Sequence, residues 1–260
     1  MLRVENLTFG YVANVQVLEN LSFQVTRGKL CGLFGPNGCG KSTLFKCCLK
    51  FLHFTGGEIT IDGRDIRNIS VRDLAKLVSY VPQEHKPPFP YLVKEVVLMG
   101  RTPHLGGVFG ISAKDKKKAF DAMQLVGIDA FADTPYNQLS VGQRQLVIIA
   151  RAVAQETNLM VLDEPTSALD FSNQVKVWRV LQRLSNGGRT IVACTHDPNH
   201  VMWFCDEVVM MGEKGIIATG SPQKILSEKT LNQIYKDVCR ITKDNGMRMV
   251  YPSNIKHDSH

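Results

Sequence analysis

The eight residues "GPNGCGKS", Gly35 to Ser42, constrain this chain more than any other stretch. They fit G-x-x-x-x-G-K-[ST] and lie between a buried-strand pattern, "KLCGLFG", and a helical pattern, "KSTLFKCCLKFL". A glycine-rich loop in that setting lets backbone N–H groups wrap a phosphate. The start of the following helix adds partial positive charge. In this reading Lys41 reaches the β- and γ-phosphates, and Ser42 ligates Mg²⁺.

The same layering continues along the chain. "GEITIDG" alternates apolar and polar residues and turns at Asp62-Gly63. "AKLVSYVPQ", "NLMVLDEP" and "TIVACTHD" each place an apolar strand just before polar residues, which is where open α/β sheets bind ligands. Strands alternating with helical patterns argue for an α/β fold. From roughly residue 93 to residue 155 the pattern is helical, with loops at "RTPHLGGVFG" and "FADTPYNQ", and this reads as an inserted helical subdomain. The last ten residues, "YPSNIKHDSH", are polar and unpatterned and are expected to be mobile.

Composition narrows the partners. The 260 residues carry a net charge of +7, which suits nucleic acid, an anionic membrane surface or nucleotide phosphates. The densest basic run, Lys114 to Lys118, precedes an apolar-periodic stretch and reads as a solvated helix start. No basic-aromatic interleaving of an RNA-binding kind is present, so no nucleic acid partner is expected. No apolar run reaches the roughly 20 residues of a membrane span, and no secretory signal opens the chain. Seven cysteines without CxxC pairs read as reduced thiols rather than a zinc site. Cys39 lies beside Lys41 and a helix start, both of which lower a thiol pKa. It is expected to be either a thiol-reactive position shielded by nucleotide or a small residue filling a slot.

After a phosphate loop, the strand-end pair Asp163 and Glu164 takes on a chemical reading. Adjacent strand residues point to opposite sides. Asp163 is placed to hold Mg²⁺ and Glu164 to polarise an attacking water. His196, at the end of another apolar strand, is placed to contact the γ-phosphate or hold that water.

Together these residues resemble the ATP-binding subunits of ABC transporters over nearly the whole chain. The family's phosphate loop matches Gly35, Pro36, Asn37, Gly38, Cys39, Gly40, Lys41, Ser42 and Thr43. Its glutamine loop matches Gln83, its second acidic motif "LMVLDEP", its D-loop "SALD" ending at Asp170, and its switch histidine His196. Tyr11 falls where the family stacks an aromatic ring on adenine. The signature motif matches "LSVGQ", with Val141 where the family usually has glycine. The site residues implied are therefore Lys41, Gln83, Glu164 and His196 for catalysis. Tyr11, the phosphate loop, Gln83, Ser140, Gly142, Gln143, Asp163 and Asp170 would bind nucleotide. Ser42, Gln83 and Asp163 would bind metal.

Within "LSVGQ", Ser140 reads as a helix N-cap and Gln143 as N3, the capping-box spacing. Val141 is then N1, where helical φ suits valine.

The resemblance implies a P-loop NTPase (RecA-like) core with an antiparallel β subdomain. The nucleotide-binding domain would span residues 1–240, with core regions 1–88 and 158–240 and a helical subdomain at about 89–157. A tail would follow at 241–260. It implies an ATP-sandwich homodimer in which each phosphate loop faces the partner's signature motif. It also implies a separate polytopic permease with an extracytoplasmic substrate-binding protein, and a peripheral position on the cytoplasmic face of the membrane. Gln83 and the segment after it would couple the γ-phosphate to the permease. Pro88 to Gly106 looks like the importers of iron-siderophore, haem or cobalamin chelates. An importer of molybdate or another oxyanion, and a soluble ABC ATPase without transport, remain as alternatives.

Overall fold

Alternating burial builds the N-terminal strands. β1 (Leu2–Phe9) and β2 (Leu18–Val25) turn Leu2, Val4, Leu7, Leu18, Leu21 and Val25 inward and polar neighbours outward. The computed structural model describes residues 1–12, 15–83, 90–106, 110–213, 215–236 and 238–253. β3 (Leu30–Phe34) is buried at all five positions, as a central parallel strand must be, and leads through the phosphate loop into α1 (Lys41–Cys48). β4 (Gly56–Ile61) turns through Asp62 (φ 51°) and Gly63 (φ 75°) into β5 (Arg64–Asp65). Left-handed φ at both turn residues is the geometry of a tight hairpin.

Then follow α2 (Val71–Leu77), β6 (Val78–Val81), α3 (Val93–Leu98), α4 (Ala113–Val126) and α5 (Val141–Ala154). β7 (Leu159–Leu162), α6 (Phe171–Asn186), β8 (Thr190–Thr195), α7 (Pro198–Phe204) and β9 (Glu207–Met211) complete the core. β10 (Ile216–Gly220), α8 (Pro222–Ile225), α9 (Glu228–Tyr235), β11 (Cys239–Asp244) and β12 (Met247–Pro252) close the described chain.

Two sheets form the body. One is antiparallel, in the order β2-β1-β4-β5; the other runs β10-β9-β3-β8-β7-β6 and is parallel from β9 to β6. Along β3, Leu30 and Phe34 join the core on the side of α5 and α6. Cys31 and Leu33 join the core on the side of α1 and the antiparallel sheet. One strand thus stitches two apolar layers by its period of two.

Three expectations shift. In "AKLVSYVPQ" the strand starts only at Val78, because Ser70 caps a helix that runs through Leu77. The helix after the phosphate loop stops at Cys48, and Lys50 turns left-handed (φ 59°). Residues 239–252 pair as a hairpin, β11 with β12, so a tail boundary after residue 240 would cut a strand, and Tyr251 and Pro252 are not loose. Residues 254–260 of the expected mobile tail lie outside the described residues, as do 84–89, the segment after Gln83 that includes Pro88.

Candidate active site

Parallel register gathers the site. Phe34 pairs with Thr195, Leu162 with Ala193, and Val81 with Leu162, so β3, β8, β7 and β6 end on one edge. The residues that follow those ends are Gly35, His196, Asp163-Glu164 and Gln83. Motifs separated by up to 161 positions in sequence thus share one sheet edge through backbone pairing alone.

Lys41 is the first residue of α1, and Gly40 before it offers no side-chain cap, so the first helical amides stay available to an anion. The Lys41 ammonium is buried and donates to the carbonyls of Gly35 (2.8 Å) and Pro36 (3.0 Å), with a Glu164 oxygen at 3.9 Å. Ser42 Oγ donates to Asp163 Oδ1 at 3.0 Å. Burial pushes the Asp163 carboxyl up; the Ser42 bond and Lys41 oppose this, and the Glu164 carboxylate reinforces it.

Glu164 is the hub. Its backbone is left-handed (φ 44°), uncommon for a non-glycine residue and concentrated at functional positions. Gln83 Nε2 lies 3.5 Å from its Oε2, and His196 Nδ1 lies 3.5 Å from its Oε1. Of the three expected metal-binding residues, Ser42 and Asp163 meet directly, whereas Gln83 turns to Glu164. The cleft over the phosphate loop, about 310 Å³, is bounded by Tyr11, Asn37, Gly38, Lys41, Thr43 and Glu164. Tyr11 presents an exposed ring at its mouth, set edge-on to Phe9 at 4.9 Å, and its hydroxyl lies 3.2 Å from Thr43 Oγ1.

Cys39 departs from its thiol-reactive reading. It is buried, and burial pushes its thiol up more strongly than Lys41 draws it down. The slot-filling role fits: its sulfur lies 2.9 Å from where a side chain on Gly35 would begin.

The signature stretch folds as its spacing requires. Ser140 Oγ accepts from Gln143 N (3.3 Å), Gln143 Oε1 accepts from Ser140 N (2.9 Å), and Val141 is the first residue of α5, half exposed. Ser140, Gly142 and Gln143 are not among the residues bounding the phosphate-loop cleft. Asp170 caps α6, accepting from Asn173 N and Asn173 Nδ2, both at 2.8 Å.

The ABC transporter family profile matches residues 18–167. The chain belongs to the ABC transporter ATP-binding family. As a member it binds ATP and is an ATPase. The chain is 34% identical to the iron(3+)-hydroxamate import ATP-binding protein FhuC of Bacillus subtilis, over 94% of this chain and 90% of that one. It is 35% identical to the ferric enterobactin transport ATP-binding protein FepC of Escherichia coli, over 96% and 93%. Among solved structures it resembles one described as a metal-chelate type ABC transporter in an inward-facing conformation (TM-score 0.84, 31% identity, 96% of both chains covered).

Three residues of this ATPase were not singled out as site residues by the sequence. Asn173 backs Gly142. Arg101 is buried, donating to the Ala154 carbonyl (2.7 Å), Glu156 (2.9 Å) and Asp115 (3.1 Å). Tyr235 donates to the His196 carbonyl at 2.8 Å. Neither Asn173 nor Tyr235 has a local pattern to mark it. Only "GR" at 100–101 carried a signal, since Gly100 lets that turn approach α5, where an added Cβ would meet the Arg151 carbonyl at 2.1 Å.

Proposed function

We propose that this chain hydrolyses ATP to drive import of a metal chelate, of the iron-siderophore, haem or cobalamin kind, through separate membrane permease subunits. The observation that carries the hydrolytic reading is Glu164, held at the phosphate loop with Lys41, Gln83 and His196 around its carboxylate. A carboxylate so placed accepts the proton of the water that attacks the γ-phosphate. His196 steadies the same oxygen, and Gln83 steadies the other. Lys41 leaves its loop carbonyls for the phosphates when nucleotide enters.

Mg²⁺ fits the donor set. Ser42 and Asp163 offer two hard oxygens in direct contact, and a cation there would offset the crowding of Asp163 against Glu164. Among the described residues no cluster of three or more His, Cys, Asp or Glu side chains forms a metal cage. That suits an ion that keeps waters and phosphate oxygens as its other ligands. The ion would neutralise phosphate charge.

A homodimer would account for a signature helix that does not line the chain's own phosphate-loop cleft. Ser140, Gly142 and Gln143 then serve the second copy's nucleotide, with Asp170 at the same junction. The permease would dock in a groove between the core and helical layers, about 260 Å³, where Phe51, Val71 and Met99 stay exposed beside Tyr80 of β6. That strand runs straight to Gln83, which links the groove to Glu164. Among the described residues no helix is long and apolar enough to cross a membrane, so the spanning part would come from that partner, which would hold the chain on the cytoplasmic face. The full importer would add an extracytoplasmic chelate-binding protein. The importer assignment draws its support from the iron-chelate relatives, whose likeness runs nearly end to end.

The test is co-expression with candidate permeases, followed by purification and reconstitution. Expected are two copies of this chain per permease pair, and chelate uptake that stops with Glu164→Gln. That change should also lower ATP turnover at least ~10²-fold while ATP still binds. Unchanged turnover in Glu164→Gln would overturn the catalytic role, and purification without any polytopic partner would overturn the transport role.

A further inference from the structure

The switch histidine is poorly fixed by its own side chain. The His196 imidazole is about half exposed, and its one side-chain partner among the described residues is Glu164, at a long 3.5 Å. Its main chain is held far better. The Tyr235 hydroxyl, at the end of α9, donates to the His196 carbonyl at 2.8 Å. The Tyr235 ring packs against Phe34, centroids 6.2 Å apart, the residue just before the phosphate loop. Burial pushes the Tyr235 phenol up, so the hydroxyl remains a donor across the working pH range.

The C-terminal elements brace this contact. The Asn232 amide joins α9 to β11, accepting from Cys239 N (2.9 Å) and donating to Cys239 O (3.2 Å). The hairpin then grips α7, the helix that begins two residues after His196. The Asn199 amide pairs with Val250 O (3.2 Å) and N (2.8 Å), and Trp203 Nε1 donates to Arg248 O (2.8 Å). A cleft of about 370 Å³ is lined by Asn37 of the phosphate loop together with His196, Tyr235 and Tyr251.

We infer that Tyr235 is a positioning residue for ATP hydrolysis: its hydroxyl fixes the His196 main chain and so aims the imidazole at Glu164, with the C-terminal hairpin as the brace. The inference rests on the role of His196 given above. It extends the apparatus from His196 to α9 and the C-terminal hairpin, beyond residue 167, where the family match ends. A packing role for Tyr235 would reside in its ring alone, which Tyr235→Phe preserves.

The test is steady-state ATP hydrolysis by the purified chain as parent, Tyr235→Phe, His196→Ala and the double variant, with melting temperatures and nucleotide affinities alongside. Tyr235→Phe is expected to lower kcat about 3- to 10-fold, the rate equivalent of one neutral hydrogen bond. KM and ATP affinity should stay within about twofold, as for an interaction that acts on the chemical step alone. In the His196→Ala background the second change should cost nothing more, because Tyr235 acts through His196. Asn199→Ala, which loosens the brace, should lower kcat in the same direction. A parent-like kcat in Tyr235→Phe, or an equal loss in both backgrounds, would overturn the inference. A parent-like rate in His196→Ala would instead overturn the role of the histidine itself.

Discussion

A Cβ built on Gly142 would lie 2.7 Å from Cγ of Asn173. Asn173 cannot swing aside cheaply, because Asp170 holds both its main-chain N–H and its side-chain amide at 2.8 Å. The second glycine of "LSVGQ" is therefore needed by the chain's own fold, besides any approach to a partner's phosphate. Val141, in contrast, is the half-exposed first residue of α5. Val141→Gly should leave hydrolysis within a few-fold, since the exchange costs the helix start only about a few tenths of a kcal/mol. Gly142→Val should abolish it and destabilise the fold by about 1–3 kcal/mol through overpacking. Thermal melts and ATPase rates of the two variants decide this, and the reverse ranking would break the helix register. Adding Asn173→Ala to Gly142→Ala should recover melting temperature more fully than turnover.

That relationship also marks where sequence reading stops. The phosphate loop, the strand-end pair Asp163-Glu164 and the Ser140–Gln143 capping box were legible because each is local. A strand, a tight turn and a helix start write themselves into fewer than ten consecutive residues. Resemblance to the family ordered these pieces and supplied roles for Gln83, Asp170 and Tyr11. What it left out depends on contacts between distant segments. Asn173 is 31 positions from Gly142, and Tyr235 is 39 from His196. The two readings of Cys39 stayed open in the sequence for the same reason. Its neighbours in sequence favour a thiolate, while its neighbours in space remove the water a thiolate needs.

Arg101 should matter to stability more than to chemistry. It ties the turn after α3 to α4 through Asp115 and to the end of α5 through Ala154 and Glu156. Arg101→Met should cost about 3 kcal/mol, the low end for breaking a buried pair, because Glu156 keeps partial access to water. Arg101→Lys should recover only part of this, since an ammonium cannot repeat the three-way fork. Urea unfolding measures both. A loss within about 0.5 kcal/mol for Arg101→Met would place the pair among ordinary surface bridges.

Asp115 gives the same junction a pH dependence. The Ser112 hydroxyl and the Arg101 guanidinium hold its carboxyl down to about 2. A depressed folded value stabilises the charged form. The contribution is therefore full above the unfolded value, about 4, and is lost as pH falls toward about 2. The gap in melting temperature between the parent and Asp115→Asn should be constant from pH 7 to 5 and shrink steadily between pH 4.5 and 3. A gap that widens on acidification would mean that the carboxylate is not the stabilised form.

Cys39 supplies the remaining prediction. All seven cysteines are buried, and Cys39 has its thiol pushed up despite its place beside Lys41. Alkylation needs both a thiolate and access. Iodoacetamide at pH 7.5 should therefore modify Cys39 in the folded chain at least about tenfold more slowly than in the urea-unfolded chain, since folding withholds both requirements. ATP should change that rate little, because the protection comes from the loop's own packing against Gly35 and not from bound nucleotide. A single fast label on Cys39 that ATP suppresses would mean that the loop opens widely without nucleotide. In that case the thiolate-favouring pull of Lys41 would prevail over burial.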